Sequence, residues 1–187
     1  IKMGRFDPIF GLEKATSSKS VTAPERNSAY DLIQWAQGHE NGMGLKLSTT
    51  TGMLLGEAGV YSKDANNEDG ESVKQLNLRG VVAPMAAPGD VLHFGLNYAA
   101  RDLDEVELGS TSSRLGMRGV KTNGGNDAGD NGNRLKVING YNDGSGRLAD
   151  DQSAWGFESA FAMGAYSIQG ECLKTELAGQ ETTEDVE

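Results

Sequence analysis

Residues Asp90–Asp102 alternate one by one between two kinds of side chain. Leu92, Phe94, Leu96 and Tyr98 take one parity; His93, Gly95, Asn97 and Arg101 take the other. A repeat of two sends successive side chains to opposite faces of an extended chain, so this stretch is predicted to be a β-strand. The pattern recurs. Gly42–Thr50 sets Met43, Leu45 and Leu47 against Gly44, Lys46 and Ser48. Ser72–Met85 sets Leu76, Leu78 and Val82 against Gln75, Asn77 and Arg79, with Pro84 expected to mark its end. Arg114–Val120 sets Leu115 and Met117 against Arg114 and Arg118. Trp155–Gly164 sets Trp155, Phe157, Phe161 and Met163 against Gly156, Glu158, Ala160 and Ala162. Tyr166–Leu173 alternates more loosely, Met53–Ser62 has no clear face, and Ile1–Phe6 reads as a strand end. Asn27–Gly38, with Tyr30, Ile33 and Trp35, is expected to form a short helix.

These segments predict an all-β chain of about eight strands. Short turns alternate with long polar loops, 63–71 and 122–154, rich in Gly, Asn and Asp. A sheet with one apolar face must cover it, and two architectures do so. A secreted or surface β-sandwich packs the face on a second sheet and binds ligands through its Gly/Asn/Asp-rich loops. An antiparallel transmembrane β-barrel turns it to lipid and keeps water inside. Here the opposite face is small and polar, often Gly, Ser or Asn with isolated cations, which is the lumen pattern of a barrel. From periodicity both architectures stay open. The lack of any run of about 18 apolar residues excludes a transmembrane helix but not a barrel, whose strands show lipid only every second residue.

Net charge narrows the partners. The chain of 187 residues carries −10, which disfavours nucleic acid, since binding it needs a basic face. The sign is uneven. Residues 171–187 hold six carboxylates against Lys174 alone, whereas residues 1–27 hold five cations against three acids. The single Cys172 permits no internal disulfide and reads as a small apolar side chain. Beginning at Ile1 with no signal peptide, the sequence reads as an internal piece or a processed product.

The local positive charge collects in Gly11–Asn27, GLEKATSSKSVTAPERN, which suits neither helix nor strand. Lys14, Ser17, Ser18, Lys19 and Arg26 give it three cations and two hydroxyls on a backbone with little apolar bulk. Donors converging from several directions suit an anion such as phosphate. The plainer reading is a solvated polar loop. Arg114 and Arg118, four residues apart in a predicted strand, point the same way roughly 13 Å apart. Arginines in file down a lumen could hand an anion from site to site; the alternative is solvated surface charge.

Other candidates fail on spacing. Gly124–Arg134 places Asp127, Asn131 and Gly132 on positions of a calcium-loop template, but Gly129 and Ile138 fall where carboxylates belong. His39 and His93 are isolated from each other and from Cys172, so no metal site is expected. No nucleophile–base constellation is present, so the chain is not expected to be an enzyme and needs no cofactor.

Taken together, GRFDPIFGLEKATSSKSVTAPERN, DGESVKQLNLRGVVAPM, PGDVLHFGLNYAARDLDE, RLGMRGVKTNGGNDAGDNGNR and SAWGFESAFAMGAYSIQGE closely resemble the phosphate- and polyphosphate-selective porins O and P of Gram-negative outer membranes. The resemblance runs in order from about residue 3 to 173. It implies a central fragment of a 16-stranded, homotrimeric outer-membrane barrel that passes phosphate or polyphosphate by passive diffusion. It implies that segment 7–41 holds a constriction loop folded into the pore. Lys14, Ser17, Ser18, Lys19 and Arg26 match the family's phosphate ligands and pore lysines, and Arg114, Arg118 and Arg134 match its arginine ladder. Asp7, after Phe6, stands where the polyphosphate type has Asp and the phosphate type has Tyr. Ser110 and Ser112 replace two ladder arginines and Ser20 replaces a Trp. Loop 135–150 does not match, and residues 174–187 form an acidic tail that departs from the family's basic continuation.

Solubility separates the two architectures. A sandwich stays in solution without detergent. The barrel piece is expected to aggregate unless detergent covers its apolar face, as light scattering with and without micelles would record.

Overall fold

The computed structural model describes residues 1–17, 19–21, 26–37, 43–64, 72–106, 111–113, 135–138 and 147–181. Seven strands form one antiparallel sheet in the order β1 (Lys2–Arg5), β2 (Met43–Thr51), β3 (Leu54–Asp64), β4 (Ser72–Ala87), β5 (Asp90–Val106), β8 (Arg147–Met163) and β9 (Tyr166–Glu181). Two short strands, β6 (Thr111–Ser113) and β7 (Leu135–Ile138), pair as a separate ribbon. The sheet is open: β1 and β9 are its two edges. No described helix is long and apolar enough to cross a membrane, which says nothing about strands.

Register carries the sequence alternation across the whole sheet. One row runs Leu47, Ala58, Leu78, Tyr98, Trp155, Lys174 through successive strand pairs. Its large apolar members are exposed, Trp155 at 54% and Leu78 at 40%. Leu45, Val60, Leu76, Phe94, Leu96 and Phe157 lie exposed on the same face. The next row runs Ser48, Glu57, Arg79, Asn97, Gly156, Leu173, on the opposite face. Arg79 and Asn97 are buried there, inverting the usual placement of polar and apolar groups. Met163 and Trp155 sit ~27 Å apart along β8 at strand rise, close to the ~25 Å apolar band of a barrel wall. Strands β4, β5, β8 and β9 run 16 or 17 residues, longer than the span of a bilayer requires.

The connections divide between the two ends of the strands. Tight turns at Gly52–Met53, Pro88–Gly89 and Gly164–Ala165 close three hairpins at one end of the strands. Longer connections leave the other, including the one between β1 and β2. That connection packs against the polar face of the sheet rather than running clear of it. It carries a single turn, α1 (Leu12–Ala15), and a 3-10 helix, Ser28–Gln37, interrupted at Ile33. Phe10, Tyr30, Ile33, Trp35 and Ala36 from this segment form the molecule's core with Ala99 and Ala154 of the wall, and Leu173 packs against it. The core therefore lies between segment and sheet, because the wall is small there: Ala99 faces Ala154, and Asn97 faces Gly156.

Several sequence expectations need correction. Pro84 does not end its strand; β4 continues to Ala87 through a register shift between Val82 and Met85. A bulge leaves a residue outside the ladder, so the missing N–H of proline costs little there. The loop expected over 122–154 contains β7 and the first half of β8. The helix expected over Asn27–Gly38 is of the 3-10 kind, since its apolar residues pack on the wall from a broken helix rather than from one continuous face. Strand β9 runs on to Glu181, so the first part of the acidic stretch belongs to the wall. The strand count agrees with the expected eight or so: seven in the main sheet and two short ones in the ribbon among the described residues.

Gly156 tests the docking. A Cβ there would stand 3.1 Å from Phe10 Cε1 and 3.2 Å from Leu173 Cδ2. Gly156→Val is expected to destabilise the docked segment by about 1–3 kcal/mol, measured by urea unfolding in micelles, and to open residues 7–27 to limited proteolysis.

Candidate functional site

The polar face of the wall is a charge network built across strands. Glu158 of β8 is fully buried, and three groups converge on it. Arg79 Nη2 of β4 donates to its Oε1 at 2.6 Å, His93 Nε2 of β5 lies 2.8 Å from the same oxygen, and Asn97 Nδ2 donates to Oε2 at 3.0 Å. Arg79 also reaches Glu57 Oε2 at 3.5 Å, and Glu57 Oε1 accepts from Lys46 Nζ at 2.6 Å. Lys46 and Arg79 are thus each matched by a carboxylate. Gly95 makes room for this: a Cβ there would come 2.5 Å from Glu158 Oε1.

Glu171 of β9 stands directly across from Glu158 in the ladder. Its partners come from the inward segment instead of the wall. Leu12 N donates to Oε1 at 2.5 Å, Glu13 N to Oε2 at 3.4 Å, and the Tyr30 hydroxyl to Oε1 at 2.5 Å. Gly11 N donates to Asn97 Oδ1 at 3.1 Å. Burial, reinforced by the neighbouring Glu171 carboxylate, pushes the Tyr30 phenol well above its ordinary range, so it stays a neutral donor. Further along, Asn77 Nδ2 donates to Ala36 O at 2.9 Å. Ser113 Oγ of the β6–β7 ribbon donates to Asp31 Oδ2 at 2.8 Å. The Arg101 guanidinium stacks over the Trp35 ring at 5.0 Å while its Nε donates to Gln152.

Fastened in this way, the segment carries the candidate residues. Lys14, on α1, pairs with Asp7 at 3.1 Å, so two of the candidates meet. Ser17, Lys19 and Arg26 are exposed. Ser17 Oγ accepts from Lys19 N at 3.4 Å, and Arg26 Nη2 donates to Thr16 O at 3.2 Å, drawing the two ends of the cationic stretch together. Asn27 N donates to Glu13 Oε2 at 2.8 Å, closing the same loop. Ser18, Arg114, Arg118 and Arg134 lie outside the described residues.

Sequence reasoning missed the anchors: Asn97, Asn77, Tyr30, Gly11 and Glu171. Asn77, Asn97 and Glu158 were visible as polar members of alternating strands. What would have marked them is cross-strand register, which alternation does not give.

A sheet that is apolar on one face, polar on the other and crossed on its polar face by a cation-bearing segment has the pattern of a transmembrane barrel wall. Comparison with known proteins agrees. The family model described as "Phosphate-selective porin O and P" matches residues 1–187, and the chain belongs to that family. It is 56% identical over 179 residues to "Porin O" of Pseudomonas aeruginosa, a match covering 95% of this chain and 41% of that protein. The chain thus spans well under half the length of this curated relative. Its sheet is a porin wall, and the β-sandwich alternative is left without support.

Removing the central carboxylate tests the network. Glu158→Leu leaves Arg79 buried with only the longer contact to Glu57, and is expected to cost about 3 kcal/mol in urea unfolding. Glu158→Gln, which retains an acceptor, is expected to cost less.

Proposed function

We propose that this chain forms part of an outer-membrane, anion-selective pore that passes phosphate or polyphosphate by passive diffusion, without chemistry and without a cofactor. The observation that carries this reading is the segment bearing Lys14, Lys19 and Arg26, whose described residues are docked on the polar face of the wall. In that reading the segment is the constriction. The described sheet is one arc of a closed barrel, because lipid tolerates no unpaired strand edges. The barrel assembles as a homotrimer in the outer membrane, as the family resemblance implies.

Three steps follow from the residues. Arg114, Arg118 and Arg134 raise the local anion concentration through a focused positive potential; the sequence alone supports this role. At the constriction, Lys14, Ser17, Ser18, Lys19 and Arg26 replace the anion's hydration shell with N–H and O–H donors. Asp7 holds the Lys14 ammonium before the anion arrives. An anion that displaces Asp7 exchanges one ion pair for another, so it gains little net binding and leaves readily. Transit requires that weak hold. The matched wall cations, Lys46 with Glu57 and Arg79 with Glu158, do not compete for the anion.

Lys14→Glu places two acids where one ion pair stood. Anion preference is expected to be lost, moving the reversal potential under a salt gradient towards zero or to the cationic side. The measurement uses planar bilayers and the natural gene product that carries these residues. An unchanged permeability ratio would remove the segment from the mechanism.

A further inference from the structure

A carboxylate on the wall beside a constriction for anions is an electrostatic handicap, since it repels what must pass. Glu171 is such a group, and its surroundings show what it does instead. It accepts from both limbs of the inward segment: from the outgoing limb through Leu12 N and Glu13 N, and from the returning limb through the Tyr30 hydroxyl. It sits on β9, the strand at the far edge of the sheet from β1, where the segment begins. The contact is closely fitted. Gly11 has φ +86°, a conformation that strains any residue with a Cβ, and a Cβ there would stand 2.8 Å from Glu171 Oε1 and collide with the Tyr30 hydroxyl. Asn97 takes the preceding N–H of Gly11, so three consecutive backbone donors are tied to the wall immediately before Lys14.

We infer that Glu171 is a positioning residue for anion passage: it clasps both limbs of the constriction segment to the far wall and so fixes where the Lys14 ammonium stands. The inference rests on the pore reading given above. Glu171 spends its acceptors on the segment's own donors, which offsets its charge and leaves Lys14, one residue beyond the clasp, to meet the anion. Loss of the clasp frees the far end of the segment, and Lys14 then samples many positions instead of one.

The test is block of chloride current by inorganic phosphate in planar bilayers, on the natural gene product. Glu171→Ala is expected to raise the half-blocking phosphate concentration about tenfold and to make the open current noisier. Glu171→Gln keeps one acceptor oxygen and the side-chain volume, so it is expected to fold and to restore most of the block. Lys14→Glu is expected to cost less in the Glu171→Ala background than alone, a coupling that a merely structural role would not give. Tighter phosphate block in Glu171→Ala would show that the carboxylate acts only through its charge and would overturn the inference. So would unchanged block in both Glu171 variants while Lys14→Glu still weakens it. An unsubstituted pore that phosphate does not block would overturn the pore reading, and this inference with it.

Discussion

Glu158 and Glu171 face each other across β8 and β9, on the inner side of the wall. Two like charges at directly opposed positions destabilise a sheet unless each is compensated. The molecule compensates them in different ways. Glu158 is matched from within the sheet by Arg79, His93 and Asn97, so strands β4, β5 and β8 are tied into one unit. Glu171 is matched from outside the sheet, by backbone donors and the Tyr30 hydroxyl. The inward segment is thereby made part of the wall's electrostatics as well as its packing. Glycine and alanine on the inner faces of β5 and β8 are the steric counterpart, since Phe10 and the broken helix need the space they leave.

The consequence is a division of labour among cations. Those on the wall, Lys46 and Arg79, hold structural carboxylates at 2.6 Å and are buried or nearly so. On the segment, Lys19 and Arg26 are exposed, while the Lys14 side chain is as covered as that of Lys46. Among the described residues Lys14 pairs with the half-exposed Asp7 at 3.1 Å. In the reading proposed above, the wall cations serve stability and the segment cations meet the anion, side by side on one inner face.

Much of the fold was legible in the sequence. Alternation located most of the long strands and, except for β3, their faces, because a residue's side of the sheet depends only on its parity. It missed the first half of β8, where Arg147–Ala154 has Leu148 as its one large apolar residue, and it read Pro84 as a stop where a bulge absorbs it. The candidate segment was legible in part. Its cations and hydroxyls stood out in composition, but the groups that fasten it did not. Asn97, Asn77 and Glu171 read as ordinary polar residues on a polar face. Only their partners, dozens of positions away, distinguish them.

By itself the sequence determined which side of most strands is apolar and where the cations of residues 11–27 cluster. Both properties are local: parity and composition are read within a few residues. Only the tertiary structure decided that Glu171 opposes Glu158, that Arg79 is neutralised, that Lys14 rests on Asp7, and that the segment crosses to β9. The physical reason is that sliding one strand by two residues keeps every side chain on its face while changing every cross-strand partner. The period-two pattern is blind to that shift. Register is chosen instead by the packing of Phe10, Tyr30 and Trp35 against Ala99, Ala154 and Gly156, and by the matching of buried charges between distant parts of the chain.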